Sequence, residues 1–303
     1  MNFIQKDKAE NTPYIQIVLL LAYALIGFVV SSVIAIAVLV GMYGMEMLTN
    51  PLLLTSGENE YLPGLRLLLI ANSVGLFLFP PLLLSFTEKR SPYALYHFEP
   101  LQLRLFAMVF GIVLVSMPFM EWVAIANQKM VLPSFLQDLE RWIRMKEDEN
   151  MRTTLILLKM ASVKDLLINL FMIALLPALA EELMFRGAVQ RIFGRFFSNI
   201  HVAIWLSAIL FSAIHVQFYG FVPRMLLGAA FGYLYFWSGS LWYAIVAHGL
   251  NNAYAVLAAW YMQQKNIPLS EDSVSTPQFT WYAYVVSFVL TIAAFRYFKK
   301  QAK

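Results

Sequence analysis

Two adjacent carboxylates and an arginine end a long apolar run in the C-terminal half of the chain. The run extends from Leu166 to Ala180, and Glu181, Glu182 and Arg186 follow it directly. Ionisable groups in such an apolar segment are costly, so each one is a candidate functional residue with a partner to be found. A buried carboxylate can act as a general base that takes a proton from water. This segment is therefore a candidate catalytic site.

The spacing within this segment assigns different roles to the two glutamates. Glu182 and Arg186 are four residues apart, so in a helix they share a face and can form an ion pair. Glu181 is turned about 100° away from that face and lacks this partner. We expect the pair of Glu182 and Arg186 to support the site, whereas Glu181 is available as the base.

Two histidines and an asparagine further along the chain carry compatible chemistry. His215 lies in "FSAIH", four residues after Phe211, so the two side chains share a helix face. His248 and Asn252 lie in "HGLNN" and are also four residues apart. An imidazole and an amide on one face are suitable hydrogen-bond donors to a developing oxyanion. We expect Glu181, His215, His248 and Asn252 to be the catalytic residues.

The composition indicates which elements must position these residues. Of the 303 residues, 60% are hydrophobic and 13% are charged, against about half and a quarter in a soluble domain. This composition predicts a polytopic membrane protein with the lipid bilayer as a partner. The absence of cysteine excludes disulfides and thiolate metal sites. Lys and Arg in excess are expected at cytoplasmic helix ends, so no nucleic-acid partner is predicted.

A membrane-spanning helix needs about 20 mainly apolar residues. The sequence has eight candidates of this kind, at about 14–42, 64–86, 104–126, 164–197, 200–218, 221–238, 241–262 and 279–297. We expect an all-α fold of about eight transmembrane helices, with residues 1–303 as one transmembrane domain. The active site is expected to be buried among the helices of the C-terminal half.

Distances along the chain test whether the candidate residues can meet. If one helix ends near Ser198 and the next returns antiparallel, Glu181 and His215 are each seventeen residues from the turn. At about 1.5 Å per residue both lie roughly 25 Å from it, at a similar depth. His248 follows a short turn at Ser240 by eight residues and also falls inside the membrane. Three neighbouring helices can therefore bring these side chains to one buried point.

Three other features of the sequence are interpreted as structural and not as catalytic. Residues 131–150 have apolar side chains at helical spacing with charges between them, which predicts either a helix in the membrane interface or an ordinary surface helix. Arg224 is interpreted as an interfacial side chain or as the structural partner of a carboxylate. Gly228 and Gly232 have the spacing of close helix packing.

Together, "EELMFR", "FSAIH" and "HGLNN" resemble the EExxxR, FxxxH and HxxxN motifs of the CPBP family of intramembrane proteases. This family includes the type II CAAX prenyl endopeptidases and bacterial relatives linked to bacteriocin self-immunity. The resemblance implies a catalytic core over residues 160–262 and a location in the bacterial inner membrane. It also implies an endopeptidase that cleaves membrane proteins or lipidated peptides.

The resemblance further implies a role for each residue. Glu181 would activate water, and His215 would orient that water or share its proton. His248 and Asn252 would bind the oxyanion, while Glu182 and Arg186 would hold the site. No cofactor is expected on this interpretation.

Two alternatives remain open. Glu181, His215 and His248 are a plausible set of zinc ligands with one free position, which would make the protein a metalloprotease. Buried Glu and His also form proton relays and ion sites, so a non-catalytic scaffold, a transporter or an immunity protein fits the same residues.

Overall fold

The structure is a computed structural model that describes residues 10–269 and 279–302. Within these residues the chain consists of helices, turns and loops, with no strand, as the sequence predicts. The long helices are α1 (Pro13–Tyr43), α2 (Leu62–Thr87), α3 (Leu103–Gln128), α4 (Gln137–Leu157), α5 (Val163–Phe197), α6 (Ile200–Ala213), α7 (Phe221–Ser238), α8 (Trp242–Gln264) and α9 (Trp281–Gln301).

Five of these helices, α1, α2, α3, α5 and α9, are long and apolar enough to cross a membrane. Helix α6 is apolar but shorter, and α7 and α8 are not among the five. The expected all-helical membrane fold is confirmed, whereas the count of eight spanning helices is not. Helices α7 and α8 carry polar residues such as Arg224, His248 and Asn252, which lower their apolar character.

Helix α6 is shorter than the sequence predicted. The predicted segment was 200–218, but the helix ends at Ala213. The chain then turns through Val216, whose φ is +52°. Side chains stabilise the turn, because Ser212 Oγ donates to the carbonyl of Phe221 at 2.7 Å. Consequently His215 lies in the turn after α6 rather than inside the helix.

The turn between α5 and α6 has the predicted position. Ser198 adopts a left-handed conformation with φ of +52°. Asn199 then caps α6, since its side-chain oxygen accepts hydrogen bonds from the backbone N–H groups of His201 and Val202. Helices α5 and α6 therefore pack against each other, as the depth argument required.

A proline within a helix disturbs the backbone hydrogen bonds near it, and a side chain of another helix can replace them. Helix α3 continues through Pro118, and Ser287 of α9 binds two backbone groups next to this proline. The Ser287 hydroxyl donates to the carbonyl of Val115 at 2.5 Å and accepts from the N–H of Phe119 at 3.0 Å. Lipid offers no such partner, so α9 satisfies backbone groups that lipid could not.

Close helix contacts depend on small residues. Gly27 of α1 and Gly75 of α2 face each other, and a Cβ atom built on Gly27 would lie 2.2 Å from the carbonyl oxygen of Gly75. On α7, Gly228 and Gly232 have the close-packing role that their spacing predicts. Their carbonyls accept hydrogen bonds from Arg186 and Gln190 of α5.

Helix α4 corresponds to the amphipathic segment predicted at 131–150, but it extends further, to Leu157. Its Leu157 carbonyl accepts a hydrogen bond from Asn169 of α5 at 2.7 Å. Nearer its beginning, Glu140 accepts one from the Tyr219 hydroxyl at 3.1 Å. Helix α4 is thus attached to α5 and to the loop that follows His215.

The residues before α1 are attached to the end of α5 by a charge cluster. The Glu10 carboxylate, 1% exposed, accepts hydrogen bonds from Arg191 at 2.5 and 2.6 Å. It also pairs with Arg195 at 3.0 Å and with Arg90 at 2.6 Å. Glu10 therefore connects the N-terminal helices to the helix that carries Glu181.

Candidate active site

The predicted catalytic side chains line one cavity of about 870 Å³. Its walls come from α2, α5, α7, α8 and the end of α6, and α4 contributes Thr154 and Leu157. Glu181, His215, His248 and Asn252 all reach it. This volume lies within the usual range for small-molecule and peptide sites.

Glu182 and Arg186 form the buried ion pair that their spacing predicts. Arg186 Nη1 lies 2.7 Å from Glu182 Oε1, and neither side chain is more than 1% exposed. The second guanidinium nitrogen donates to the Gly228 carbonyl at 2.8 Å. The guanidinium also stacks over the Phe211 ring, 4.5 Å from its centre. Arg186 thereby joins α5, α6 and α7 behind the cavity.

Glu182 also fixes His248, a contact that the sequence did not reveal. His248 Nδ1 lies 2.8 Å from Glu182 Oε1. Because that oxygen already accepts from Arg186, the Nδ1 atom must carry the hydrogen. The ring is further held against Phe231, with centres 5.2 Å apart and planes 18° apart. The Nε2 atom is then directed away from Glu182.

That Nε2 atom faces Glu181. Glu181 Oε2 lies 3.9 Å from His248 Nε2, and the Glu181 side chain is 13% exposed. The separation is too long for a direct hydrogen bond and suits a bridging water molecule. The helix geometry explains why the two glutamates differ. Glu182 points into packed protein and Glu181 points into the cavity, as their 100° separation on α5 requires.

His215 is held by its own chain. Its Nδ1 atom lies 2.8 Å from the Phe211 carbonyl oxygen, which can only accept. The Nδ1 atom therefore carries the hydrogen, and Nε2 of the neutral ring is an acceptor. The Phe211 ring packs edge-on against this imidazole at 5.3 Å, the contact that their spacing predicts.

Asn252 has a partner that the sequence-based role did not include. Its Nδ2 atom donates to the Ile173 carbonyl at 3.2 Å. Ile173 lies in a π-helical part of α5, Leu170–Leu175, where the N–H of Leu176 bonds to the carbonyl of Phe171, five residues earlier. The helix becomes α-helical at Leu176, and Pro177 has no N–H to offer the Ile173 carbonyl, four residues before it. Asn252 thus satisfies a carbonyl that the proline leaves free, and one N–H of its amide remains for another acceptor.

Two cavity residues were not given a functional role from the sequence. Asn251 lines the cavity, and its Nδ2 atom donates to Asn252 Oδ1 at 3.3 Å. Arg224 also lines the cavity. Their positions in the sequence could have indicated these two residues, since Asn251 adjoins a motif residue and Arg224 is a charged residue in an apolar helix.

The zinc alternative requires Glu181, His215 and His248 to converge on one ion. Across the described ranges, 10–269 and 279–302, no three His, Cys, Asp or Glu side chains lie close enough together to hold a metal. The residues as placed do not fit a zinc site. That the reaction needs no metal stays a prediction, which chelation of the protein would test.

Part of the chain is similar to a known protein family. Residues 163–254, the segment from α5 to α8, match the model of the Rce1-like family, described as type II CAAX prenyl endopeptidase Rce1-like. The match confirms the resemblance that the three motifs predict.

A curated relative is similar to a segment of this chain. "Uncharacterized protein YpbD" of Bacillus subtilis (strain 168) is 27% identical over 89 residues, which make up 28% of this chain. The match spans 42% of that protein's length. No solved structure matches the chain.

Proposed function

We propose that this chain, whose residues 163–254 are Rce1-like, is an intramembrane endopeptidase that hydrolyses peptide bonds with water activated by Glu181. Its substrates are membrane proteins or lipidated peptides, and its location is the bacterial inner membrane. The observation that carries the proposal is the placement of Glu181 Oε2 at 3.9 Å from His248 Nε2, while His248 is fixed by Glu182.

The first step is activation of water. A water molecule next to Glu181 Oε2 donates a hydrogen bond to the carboxylate, and His215 Nε2 supplies a second acceptor that orients it. Glu181 takes one proton as the water oxygen bonds to the scissile carbonyl carbon. Such positioned proton transfer contributes about a hundred- to ten-thousandfold to the rate.

The second step is stabilisation of the oxyanion. His248 donates through Nδ1 to Glu182, so it can donate through Nε2 only as an imidazolium. In this form the ring places a positive charge beside the Glu181 carboxylate, whose Oε2 lies 3.9 Å from Nε2. The remaining N–H of Asn252 is a second donor. The proton held by Glu181 then passes to the leaving nitrogen as the C–N bond breaks.

The test compares Glu181→Gln with the wild-type protein in lipid nanodiscs. Spanning peptides and prenylated peptides are incubated with each protein, and products are identified by mass spectrometry. We expect the wild type to cleave at least one class and Glu181→Gln to lose about a hundred- to ten-thousandfold in rate, since it lacks the base. Glu149→Gln, an exposed change on α4, is the matched control.

Three outcomes separate the alternatives. Near-normal turnover by Glu181→Gln would show that another group is the base. Loss of activity on exhaustive chelation, with recovery on adding one equivalent of zinc, would support the metalloprotease. A wild-type protein that cleaves none of the peptides would favour the non-catalytic scaffold or transporter.

A further inference from the structure

Arg224 is a partly buried cation in the cavity wall, and no close carboxylate pairs with it in the part of the chain that the structure describes. It lies in the first turn of α7, and its Nη2 atom donates to Gln217 Oε1 at 2.5 Å. Its Nη1 atom is buried and has no hydrogen-bond partner in the part of the chain that the structure describes. Gln217 is neutral, so this hydrogen bond leaves the positive charge uncompensated.

Neither interpretation made from the sequence accounts for this placement. An interfacial arginine would extend its guanidinium to water, whereas Nη1 of Arg224 is buried. A structural partner would form a close ion pair, as Arg186 does with Glu182. The carboxylates of Glu181 and Glu147 act on Arg224 only at longer range. A buried charge without a close partner is costly, and such groups are usually retained for a ligand.

The Arg224 side chain lies against the backbone at the beginning of α7, beside the cavity. A Cβ atom added to Gly220 would lie 3.2 Å from Arg224 Nη2, so the side chain passes close over this glycine. Gly220 and Pro223, at the beginning of α7, line the same cavity. The beginning of a helix carries partial positive charge, which adds to that of the arginine. This end of the cavity is therefore suited to an anion.

We propose that Arg224 binds a carboxylate of the peptide substrate through its guanidinium group, while Glu181 acts on the scissile bond in the same cavity. The inference deepens the proposed endopeptidase function and depends on it for the identity of the ligand as a substrate. A guanidinium is well suited to a carboxylate because its N–H groups match the two oxygens. The carboxylate is either the free C-terminus of the substrate or an acidic side chain near the cleaved bond.

Binding of synthetic peptides tests this proposal separately from catalysis. The probe is a dansylated alanine–leucine peptide in three forms: with a free C-terminal carboxylate, with a C-terminal amide, and with the amide plus one internal aspartate. Binding is measured by fluorescence to full-length Glu181→Gln protein in nanodiscs, so that cleavage does not interfere. The same measurement is made with Arg224→Gln, Arg224→Lys and Arg152→Gln added to this background.

We expect one carboxylate peptide to bind about ten- to a hundredfold more tightly than the neutral amide, as for a hydrogen bond to a charged group. Arg224→Gln should remove this preference, and Arg224→Lys should retain part of it. Arg152→Gln, a change of an exposed arginine on α4, should leave it intact. Preference for the free acid identifies the C-terminus, and preference for the aspartate peptide identifies a side chain.

Several results would overturn the proposal. They are equal or undetectable binding of all three peptides, or a preference that persists in Arg224→Gln. Thermal unfolding of each variant establishes that it is folded before binding is scored, and Arg224→Lys provides the folded comparison if Arg224→Gln is not. Wild-type cleavage is assayed separately, so failure of the endopeptidase proposal is distinguishable from failure of carboxylate binding.

Discussion

At the residue scale, Glu182 is the side chain on which the geometry of the site depends. One of its oxygens holds both Arg186 and His248, at 2.7 and 2.8 Å. Removing it leaves a buried guanidinium without a counter-ion and frees the imidazole to rotate. The charge of Glu182 therefore serves structure, while that of Glu181 remains available to the cavity.

Glu182→Ala is expected to lower the free energy of unfolding by about 3–5 kcal/mol, as for breaking a buried ion pair from one side. Glu149→Ala on α4 removes an exposed pair with Lys146 and should cost about 1 kcal/mol or less. Thermal and denaturant unfolding in detergent measure both. Equal effects of the two substitutions would contradict the structural role of Glu182.

Asn252 and Pro177 are expected to be energetically coupled through the carbonyl of Ile173. When Pro177 is present, Asn252→Ala leaves that carbonyl unsatisfied, which lowers the free energy of unfolding by about 1–3 kcal/mol. In Pro177→Ala the new backbone N–H can bond to the same carbonyl, so the second substitution should cost less. A double-mutant cycle on unfolding free energy measures the coupling. Costs that add within about 0.5 kcal/mol would show that the two residues are independent.

The same variants separate packing from catalysis. If the remaining N–H of Asn252 binds the oxyanion, Asn252→Ala lowers turnover about a hundred- to a thousandfold and leaves the Michaelis constant nearly unchanged. Pro177→Ala restores stability without restoring the donor, so turnover stays low. Full recovery of turnover in the double variant would mean that Asn252 acts only by attaching α8 to α5.

At the scale of elements, α4 and the loop after α6 form one unit that positions His215. The Tyr219 hydroxyl donates to Glu140 at 3.1 Å, and its backbone N–H donates to Glu147 at 2.9 Å. The Arg144 guanidinium lies 4.2 Å from the centre of the Tyr219 ring. Because His215 lies four residues before Tyr219, detachment of α4 would loosen the backbone that follows His215, while the Phe211 carbonyl still binds its imidazole.

This attachment is expected to depend on pH through Glu140. The hydrogen bond from Arg144, together with those from the Leu132 N–H and the Tyr219 hydroxyl, holds the pKa of Glu140 below its ordinary value of 4.5. A carboxylate whose pKa is lower in the folded state stabilises the fold above its unfolded pKa. That stabilisation is lost as the pH falls through the folded pKa.

Hydrogen exchange of residues 214–220, corrected for intrinsic rates, should therefore be constant from neutral pH to about pH 5 and increase in acid below about pH 4. Glu140→Gln should show fast exchange at neutral pH, without this acid-dependent step. An acid-dependent step that is unchanged in Glu140→Gln would assign it to another group.

At the scale of the whole molecule, the segment that carries the candidate site depends on the N-terminal helices. Glu10 forms ion pairs with Arg191 and Arg195 at the end of α5. Helix α2 contributes Asn72, Ser73 and neighbouring residues to the cavity wall. Residues 160–262 therefore lack part of the site and a charge partner when taken alone.

We expect a fragment of residues 160–262 to be sensitive to protease and to aggregate in detergent. Co-expression of residues 1–159 with residues 160–303 should restore a protease-resistant complex, because Glu10 and α2 are then supplied. Glu10→Ala in the first fragment should weaken the complex, and Glu58→Ala, at an exposed position, should not. A stable, protease-resistant 160–262 fragment would show that this segment is an independent domain.

The sequence by itself determined the class of fold, the helix order in the catalytic half and the residues of the candidate site. Apolar length and composition predict membrane helices because lipid offers no partners for an irregular backbone. Spacing of four residues places Glu182 beside Arg186 because helix geometry is local. The same local rule predicted the turn at Ser198, but it did not predict that α6 ends at Ala213, before His215.

Tertiary structure alone decided which contacts these residues make. That His248 binds Glu182, that Asn252 satisfies the Ile173 carbonyl and that Arg224 faces the cavity depend on how α5, α7 and α8 pack. The end of α6 at Ala213 depends on side chains that bridge its turn. Such contacts join residues that are distant in the chain. They depend on how each helix is rotated against its neighbour, and that rotation follows from the packing of all the side chains between the helices.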